Sequence, residues 1–201
     1  MESFSTELRR RKNVQEIKRE IAWNTKELFA QKGYSATSMD DICSINNRSR
    51  GSIYYHFKSK EEIFLYLIKL NTQEWMDSWR KIEGKYKTAT EKLYALADHY
   101  VDDLTNPLNH AINEFMTGQV VSQQILDEML TLIEMPYTLY EQIIKEGIER
   151  GEFKPTNPES VKYVVIGLFN GLSTFYFTKE LDELRRLYKD AVDLILQGIQ
   201  K

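Results

Sequence analysis

Cysteine is nearly absent from this chain of 201 residues, in which Cys43 is the single one. One cysteine cannot form a disulfide within the chain, and it cannot supply the paired thiolates of a structural zinc site. The sequence therefore excludes the small disulfide-bonded folds of secreted proteins and favours a reducing compartment such as the cytoplasm.

Long hydrophobic runs are absent as well. The longest apolar stretch extends from Tyr163 to Phe169 and is far shorter than the about 20 residues that a membrane-spanning helix needs. Residues 1–15 are rich in charge and have no apolar core of signal-peptide length. We therefore expect a soluble, cytoplasmic protein with no membrane partner.

Catalytic motifs are missing too, because the sequence has neither a phosphate-binding glycine loop nor a nucleophile elbow. Two histidines precede a carboxylate by four residues: His99 with Asp103, and His110 with Glu114. Such pairs could bind a metal or transfer protons, but ion pairing on a helix surface is the commoner meaning of the spacing. We expect no enzyme, no cofactor and no metal site. An enzyme that uses Asp103 or Glu134 is the least favoured alternative.

The charge that is present is unevenly distributed. Residues 1–60 contain 12 basic and 7 acidic side chains, whereas residues 61–201 contain 15 basic and 23 acidic ones. A basic N-terminal segment on an acidic body is typical of a nucleic-acid-binding head, although a solvated charged surface would also produce it. With 42% hydrophobic residues the chain is able to bury a core.

The N-terminal segment has the pattern of a helix, a tight turn and a second helix. Apolar residues recur at helical spacing from Val14 to Lys32, and Gly33 follows as a stop. Ser38 and Ser49 are suited to cap two short helices, and Asn46-Asn47 between them tolerates a left-handed turn.

Capping signals divide the rest of the chain into further helices, and strand alternation is absent, so we predict an all-α fold of about nine helices. Proline inside the helical stretch 122–150 predicts a kink or break near Met135-Pro136. The last helix is expected from Leu181 to about Ile199. The other helix starts are marked by Ser59 with Glu62, Thr88 with Glu91, Asn106-Pro107 and Asn157-Pro158.

The helix from Ser49 to Phe57 has two faces of different character. Ile53 and Phe57 share one face by their spacing, and we expect them to pack in the core with Ile42 and Ile45. Aromatic residues at helical spacing are more often core than site, and helix-turn-helix geometry also occurs in proteins that never contact DNA.

The opposite face of this helix carries Gly51 and Tyr55, with Arg50 and Tyr54 beside them. A glycine inside a helix costs about 1 kcal/mol relative to alanine, and close approach of another surface would explain it. A helix in the DNA major groove needs such approach, so Arg50 and Tyr55 are candidates for reading bases. Hydrogen-bond donors that could contact phosphates are Thr37, Tyr54, His56 and Lys60.

Residues 28–64 resemble the N-terminal signature of the TetR family of bacterial transcriptional regulators, in which a helical head binds operator DNA and a helical body binds an inducer. The matching positions are Leu28, Phe29, Gly33, Tyr34, Thr37, Ile42, Ser49, Gly51, Tyr54, His56, Phe57, Lys60 and Glu61. The chain departs from the family pattern at two places. The family usually has Gly-Val where this chain has Asn47-Arg48, and it usually has a small residue where this chain has Cys43. Arg48 could reach a phosphate or a base. The DNA-contact set is thus Thr37, Arg48, Ser49, Arg50, Gly51, Ser52, Tyr54, Tyr55, His56 and Lys60.

The body resembles multidrug-binding members of the same family, which respond to cationic lipophilic compounds. The resemblance implies a pocket in which aromatic rings attract a flat cation and a carboxylate neutralises its charge. Core packing is the alternative role for each of these positions, and above all for Trp75, which lies four residues before Trp79. The implied pocket residues are Trp75, Asp103, Asn109, Met116, Glu134, Tyr137 and Asn170.

Two predicted helices near the C-terminus, the eighth and the ninth, each have a broad apolar face. Gly167 and Gly171, four residues apart, would let the eighth helix approach a neighbour closely. We expect a homodimer through a four-helix bundle of helices 8 and 9, as the resemblance also implies, with packing inside one chain as the alternative. The faces consist of Val161, Val164, Val165, Leu168, Leu172 and Phe175, and of Leu181, Leu184, Tyr188, Ala191, Leu194 and Ile195.

These observations lead to one functional hypothesis and one alternative. The hypothesis is a dimeric, ligand-responsive repressor with a DNA-binding domain at residues 1–60 and a ligand-binding and dimerisation domain at residues 61–201. The basic run Arg9–Lys12 is predicted either to contact DNA or to form a disordered, solubilising end. The alternative is a helical module that sequesters a small molecule without binding an operator. Sequence-specific DNA binding would distinguish the two.

Overall fold

The structure is a computed structural model that describes residues 2–118 and 122–200, with side chains in residues 13–118 and 122–200. It confirms the all-α prediction: within the described residues the β-structure is a single bridge between Phe153 and Gln200. Short 3₁₀ helices follow α4 and α9. The α-helices are α1 Glu2–Ala36, α2 Met39–Ile45, α3 Arg50–His56, α4 Lys60–Ile82, α5 Ala89–Asp103, α6 Leu108–Gly118, α7 Gln123–Glu134, α8 Tyr137–Glu149, α9 Pro158–Ser173 and α10 Leu181–Ile199.

The break predicted near Met135 is present. Helix α7 ends at Glu134 and α8 begins at Tyr137, with Pro136 as the residue before it. Proline lacks a backbone N–H and its ring clashes with the preceding helical turn, so it starts a helix more readily than it continues one. The stretch that was predicted as one interrupted helix is therefore two, and the described residues contain ten α-helices.

Helix α1 begins at Glu2 rather than at Val14, where the prediction placed its start. The added residues include Glu7 and the run Arg9–Lys12, which have good helix propensity. At its other end the helix is interrupted at Gly33, whose φ of 78° and ψ of 175° are not helical. The predicted stop at Gly33 is therefore present.

The chain forms two compact units. The N-terminal unit comprises Met1–Gln73 and Pro107–Leu132, and the C-terminal unit comprises Glu74–Asn106 and Ile133–Lys201. Helix α4 begins in the first and ends in the second. The division predicted at residue 60 concerns function and stays a prediction, whereas the packing assigns α6 and most of α7 to the unit that contains the helix-turn-helix.

The N-terminal unit is built around an aromatic cluster. Tyr34, at the end of α1, lies 4.7 Å from the ring of Phe115 on α6 and 4.9 Å from that of Phe64 on α4. Phe29 completes the cluster, with its ring 4.8 Å from that of Phe64. All four rings are buried, and such pairs each contribute about 0.5–1.5 kcal/mol beyond their burial. Helices α1, α4 and α6 are therefore held together at this point.

The C-terminal unit has a larger core formed by α5, α8, α9 and α10 and the end of α4. Trp79 is fully buried in it, as its spacing from Trp75 predicted. A second aromatic group surrounds Phe169, whose ring lies 4.9 Å from that of Tyr188 and 5.5 Å from that of Tyr100.

None of the helices in the described part of the chain is long and apolar enough to cross a membrane.

Candidate DNA-binding and ligand-binding sites

The helix-turn-helix is shaped by local hydrogen bonds that the sequence predicted. Ser38 and Asp41 form a reciprocal capping box at the start of α2, and the Ser49 hydroxyl accepts a hydrogen bond from the N–H of Ser52 at the start of α3. Between the helices Asn47 has a φ of 50°, a left-handed conformation that asparagine tolerates. The two caps and the turn together fix the direction of α3.

A buried asparagine ties the turn to α1. The side-chain N–H₂ of Asn46 donates to the carbonyl of Ile42 at 2.9 Å, and its oxygen accepts from Asn24 of α1. Asn46 is 7% exposed, whereas Ile45 is 45% exposed. The prediction that Ile45 packs in the core was wrong, because the hydrogen bonds of Asn46 turn that side of α2 inward instead.

Helix α3 presents two tyrosines to solvent, as its spacing predicted. Tyr55 is 68% exposed and Tyr54 is 46% exposed, while Ile53 and Phe57 are completely buried. Gly51 lies on the exposed side, and a Cβ built there would come no closer than 4.0 Å to the Ser49 hydroxyl. The outer face of α3 is thus open to close approach by another surface.

Both arginines of the helix-turn-helix are held by carboxylates. Arg50 donates from Nε and Nη2 to the two oxygens of Asp40 at 2.8 and 2.7 Å, and Arg48 donates to Glu20 of α1 at 3.1 Å. These hydrogen bonds and the charge of Arg50 lower the pKa of Asp40 below its ordinary value of 3.8. Arg50 and Asp40 remain exposed, whereas the Arg48 side chain is partly covered.

Two of the predicted phosphate contacts lie inside the unit. Thr37 is 1% exposed, and its hydroxyl donates to the carbonyl of Gly33 at 2.7 Å. His56 is 9% exposed, and its Nδ1 has no partner in the described part of the chain. Burial, and then the charges of Arg48 and Lys18, lower the pKa of His56 below its ordinary value of 6.5. Both side chains point into the interior of the helix-turn-helix unit, so in this conformation they are poorly placed to contact phosphate.

Lys60, a third predicted phosphate contact, caps the end of α1. Its ammonium donates to the carbonyls of Tyr34 and Thr37, each at 2.8 Å, and lies 4.2 Å from the centre of the Tyr34 ring. Partial burial lowers the pKa of Lys60 below its ordinary value of 10.5. The lysine is therefore a structural element of the head.

The predicted pocket residues are divided between the two units. Asn109 and Met116 lie on α6 in the N-terminal unit. The other five lie in the C-terminal unit, where Glu134 and Asn170 are exposed and the rest are partly buried. Those five are Trp75, Asp103, Glu134, Tyr137 and Asn170.

Three of these five interact with a residue that sequence reasoning missed, Tyr100 of α5. The Tyr100 hydroxyl donates to the side-chain oxygen of Asn170 at 2.8 Å. Burial, followed by the neighbouring Tyr137 and the Asp103 charge, raises the pKa of Tyr100 above its ordinary value of 10. The Tyr100 hydroxyl is thus hydrogen-bonded to an amide, and a neighbouring phenol and carboxylate disfavour its ionisation.

Tyr140 is a second residue that the sequence did not single out. Its hydroxyl is buried and has no hydrogen-bond partner in the described residues, and its ring lies 5.8 Å from that of Phe169. An unpaired buried hydroxyl costs free energy that a hydrogen-bonding ligand would recover. No local pattern identified Tyr100 or Tyr140, because each occupies a core position of its helix and only the packing of α5, α8 and α9 brings them together.

Trp75 lies beside a histidine rather than in open space. Its ring is 4.4 Å from that of His99, and its indole N–H is buried without a partner in the described part of the chain. His99 Nε2 is 3.1 Å from the Trp75 carbonyl and 3.2 Å from the Ser78 hydroxyl. His99, which was considered as a metal ligand, is thus occupied by contacts with Trp75 and Ser78. The described residues contain no cluster suited to a metal ion.

A cavity of about 320 Å³ lies elsewhere in the C-terminal unit, between the end of α4, α5 and α8. Its charged lining includes Lys92 and Glu146, whose ion pair measures 2.5 Å, and the stacked rings of Trp79 and Tyr86 stand beside them. None of the predicted ligand-binding residues lines this cavity, so it does not coincide with the predicted pocket.

Helix α9 exposes an apolar strip on its outer side. Tyr163, Val164 and Leu168 are 54%, 56% and 40% exposed, and a Cβ built at Gly167 or Gly171 would meet nothing within 4 Å. Leu194 of α10 is 66% exposed. Phe175, which follows α9, is 45% exposed, and Leu172 and Leu181 are partly buried. The other predicted face residues are buried within the chain: Val161, Val165, Leu184, Tyr188, Ala191 and Ile195. Packing inside one chain thus accounts for part of each face but not for the strip.

An all-α fold with a capped helix-turn-helix and an open outer face on its second helix is typical of one class, the DNA-binding transcriptional regulators. Known proteins agree with this assignment. Residues 24–67 match the bacterial regulatory proteins of the tetR family, and residues 71–201 match the C-terminal region of QacR-like proteins. The chain belongs to the TetR family, and it is accordingly a ligand-responsive transcriptional repressor.

Individual relatives agree over nearly their whole length. The chain is 31% identical over 186 residues to the HTH-type transcriptional regulator QacR of Staphylococcus aureus, covering 92% of this chain and 99% of that protein. A putative TetR-family regulator from Mesorhizobium loti has the same fold, with a TM-score of 0.77, 19% identity and coverage of 94% and 98%. FadR from Bacillus subtilis, solved in complex with stearoyl-CoA, has a TM-score of 0.72, 20% identity and coverage of 90% and 98%.

Proposed function

We propose that this repressor is a cytoplasmic homodimer that binds operator DNA through α3 and releases it when a lipophilic cation enters the C-terminal unit. The observation that carries the DNA-binding part is the outer face of α3. Two exposed tyrosines and Arg50 surround an open glycine on a helix of seven residues whose opposite side is buried. Such a face is suited to enter a major groove, where side chains must reach base edges.

The exposure of the side chains supports a division of roles among the predicted DNA contacts. Arg50 and Tyr55 are proposed to read bases, and Tyr54 and Lys60 to contact phosphates. Thr37 and His56 are proposed to hold the frame, because both are buried. Weaker contacts are assigned to Arg48, Ser49, Gly51 and Ser52, which surround the start of α3.

The surroundings of Tyr100 support the proposed class of inducer. The faces of aromatic rings attract cations, and an ionised carboxylate in a largely apolar site favours a positive charge over a neutral group. Tyr100 and Tyr137 supply rings, and Asp103 supplies the carboxylate beside them. The similarity to QacR supports a drug-like ligand, and the implied pocket also includes Trp75 and Glu134.

The signal is proposed to pass through α4 and α6, since both helices hold the end of α1. Glu114 of α6 accepts hydrogen bonds from the N–H groups of Tyr34 and Ser35, and Lys60 of α4 donates to the Tyr34 carbonyl. A displacement of either helix would move the segment that precedes α2. In a dimer this changes the separation of the two recognition helices, which must match major grooves about 34 Å apart.

The dimer is proposed to form through α9 and α10, the predicted helices 8 and 9. The apolar strip of α9 and the exposed Leu194 support this assignment, because a monomer leaves them in water. The glycines Gly167 and Gly171 lie within the strip and would allow two copies of α9 to approach closely. We retain the functional division of the chain at about residue 60.

The proposal is tested with DNA selected by the protein from random duplexes. The selected duplex should bind far more tightly than a scrambled one, and tetraphenylphosphonium should release it while neutral triphenylphosphine oxide releases it less. Fluorescence anisotropy measures both effects. If no sequence is selected, the sequestering module is the better description, and if neither compound alters DNA binding, the proposed inducer class is wrong.

A further inference from the structure

The bidentate contact between Arg50 and Asp40 joins the start of the recognition helix to the start of α2. Arg50 Nε lies 2.8 Å from Asp40 Oδ1, and Arg50 Nη2 lies 2.7 Å from Asp40 Oδ2. Both side chains are more than half exposed, at 61% and 69%. An ion pair in water contributes little to stability, so stability does not account for this arrangement.

The geometry uses one edge of the guanidinium and leaves the other free. An arginine side chain has five N–H donors in a planar fork. Asp40 accepts hydrogen bonds from the edge formed by Nε and Nη2. Both hydrogens of Nη1 and one hydrogen of Nη2 therefore remain available. The two donors on that free edge match the two acceptors, O6 and N7, that a guanine presents in the major groove.

We propose that Asp40 is a positioning residue for DNA recognition: it fixes the guanidinium of Arg50 so that its free edge reads a guanine. This inference rests on the proposed role of Arg50 as a base reader. Arginine has several rotatable bonds, and a fork that is already oriented loses less conformational freedom when it binds. The carboxylate also carries a cost, because it repels phosphates, and its retention at the DNA-facing side is explained by this gain in specificity.

Asp40 does not have to approach DNA itself to act in this way. The Arg50 contact lowers its pKa below 3.8, so it is ionised wherever DNA binding is measured. Its neighbour Asp41 has a separate structural role, since it caps α2 through Ser38 and pairs with Lys32. The two adjacent acids therefore separate cleanly into a helix cap and a partner of Arg50.

The test compares base discrimination, position by position, on the duplex selected by the wild-type protein. Arg50→Ala first identifies the base pair that Arg50 reads, as the position where discrimination falls, by roughly 5- to 160-fold for a bidentate contact. Asp40→Asn should lose about fivefold or more of the discrimination at that same position. Its affinity for scrambled DNA should be unchanged or higher, because one negative charge is removed. Asp40→Glu, which is able to re-form the pair, should recover part of the discrimination.

A charge-matched control and a double mutant complete the test. Glu27→Gln removes one negative charge from the exposed side of α1, where Glu27 accepts a hydrogen bond from Gln31, and it should keep full discrimination. Asp40→Asn added to Arg50→Ala should cause no further loss. If Asp40→Asn keeps wild-type discrimination, or loses it equally at all positions together with thermal stability, Asp40 is not a positioning residue. If the wild-type protein selects no sequence, the proposed operator binding fails as well.

Discussion

The carboxylate of Glu114 accepts a hydrogen bond from the backbone N–H of Tyr34 at 2.7 Å and thereby joins α6 to the end of α1. A second bond, from the N–H of Ser35, measures 3.3 Å. Gly33 makes this contact possible, since a Cβ built there would lie 2.3 Å from Glu114 Oε2. The hydrogen bond of Glu114 therefore depends on the absence of a side chain at Gly33.

The first prediction concerns Gly33. Gly33→Ala should lower the free energy of unfolding by about 1–3 kcal/mol, because φ 78° with ψ 175° is a conformation that only glycine adopts readily, and the new Cβ would also displace Glu114. Urea denaturation measures the change. Gly118→Ala is the matched control on α6, where a Cβ meets nothing within 4 Å, and it should be neutral or slightly stabilising. Equal effects at the two glycines would contradict this explanation.

The second prediction concerns Glu114 as part of the signalling path. Glu114→Ala should remove two charge-assisted hydrogen bonds and weaken the inducer's effect on DNA affinity, by about five- to tenfold in the ratio of the affinities without and with ligand. Asn113→Ala, an exposed neighbour on α6, is the control and should leave that ratio unchanged. Anisotropy titrations with tetraphenylphosphonium provide the ratio. A wild-type ratio in Glu114→Ala would assign the contact to stability alone.

The third prediction is a pH dependence that comes from His56. Its pKa in the folded chain lies below 6.5, so the unfolded chain binds the proton more tightly and stability falls as the pH drops below about 6.5. His56→Gln should have a flatter dependence of the urea midpoint between pH 7.5 and 5.5. His110→Gln, at an exposed position of α6, should retain the wild-type slope. Identical slopes in all three proteins would mean that His56 is not the titrating group.

Sequence patterns predicted those features of the fold that depend on neighbours in the chain. The caps at Ser38 and Ser49, the left-handed Asn47 and the break at Pro136 each follow from one or two residues, and each is present. The roles of Lys60 and His56 could not be predicted in the same way. Their surroundings come from helices far apart in sequence, as the bond from Lys60 to the Tyr34 carbonyl illustrates.

The candidate ligand site shows the same limit. Asp103, Tyr137 and Asn170 were named from a resemblance, but the residue with which they interact, Tyr100, has no local signature. Its position on α5 is one that an apolar residue would also fill. Only the packing of α5 against α9 reveals that its hydroxyl lies beside Asn170.

The fourth prediction tests the dimer surface. Leu168→Glu and Val164→Glu should raise the dimer dissociation constant by about 30-fold or more, because each would place a charge in the centre of an apolar contact. Both positions are exposed in the single chain, so its helical content should not change. Leu130→Glu, at an apolar position of α7 that is 38% exposed, is the control and should remain dimeric. Sedimentation velocity over a range of concentrations measures all three variants.

The fifth prediction distinguishes the two carboxylates of the proposed ligand site. Asp103 lies close enough to the partly buried Tyr100 to raise its pKa, whereas Glu134 is exposed at the end of α7. A charge beside an apolar core acts through a lower effective dielectric constant than one in open water, where salt also screens it. Asp103 should therefore contribute more to the recognition of a cation.

Two isosteric variants test this order. Asp103→Asn should weaken tetraphenylphosphonium binding by about tenfold, and Glu134→Gln by about twofold or less, as measured by calorimetry. Neutral triphenylphosphine oxide should bind all three proteins alike, since it loses no charge interaction, and operator affinity without ligand should not change. Salt screens the interactions of an exposed charge more than those of a partly buried one. Raising the salt concentration should therefore reduce the effect of Glu134→Gln on cation affinity before that of Asp103→Asn. The reverse order would move the cation site toward Glu134, and equal cation affinity in all three proteins would show that neither carboxylate recognises charge.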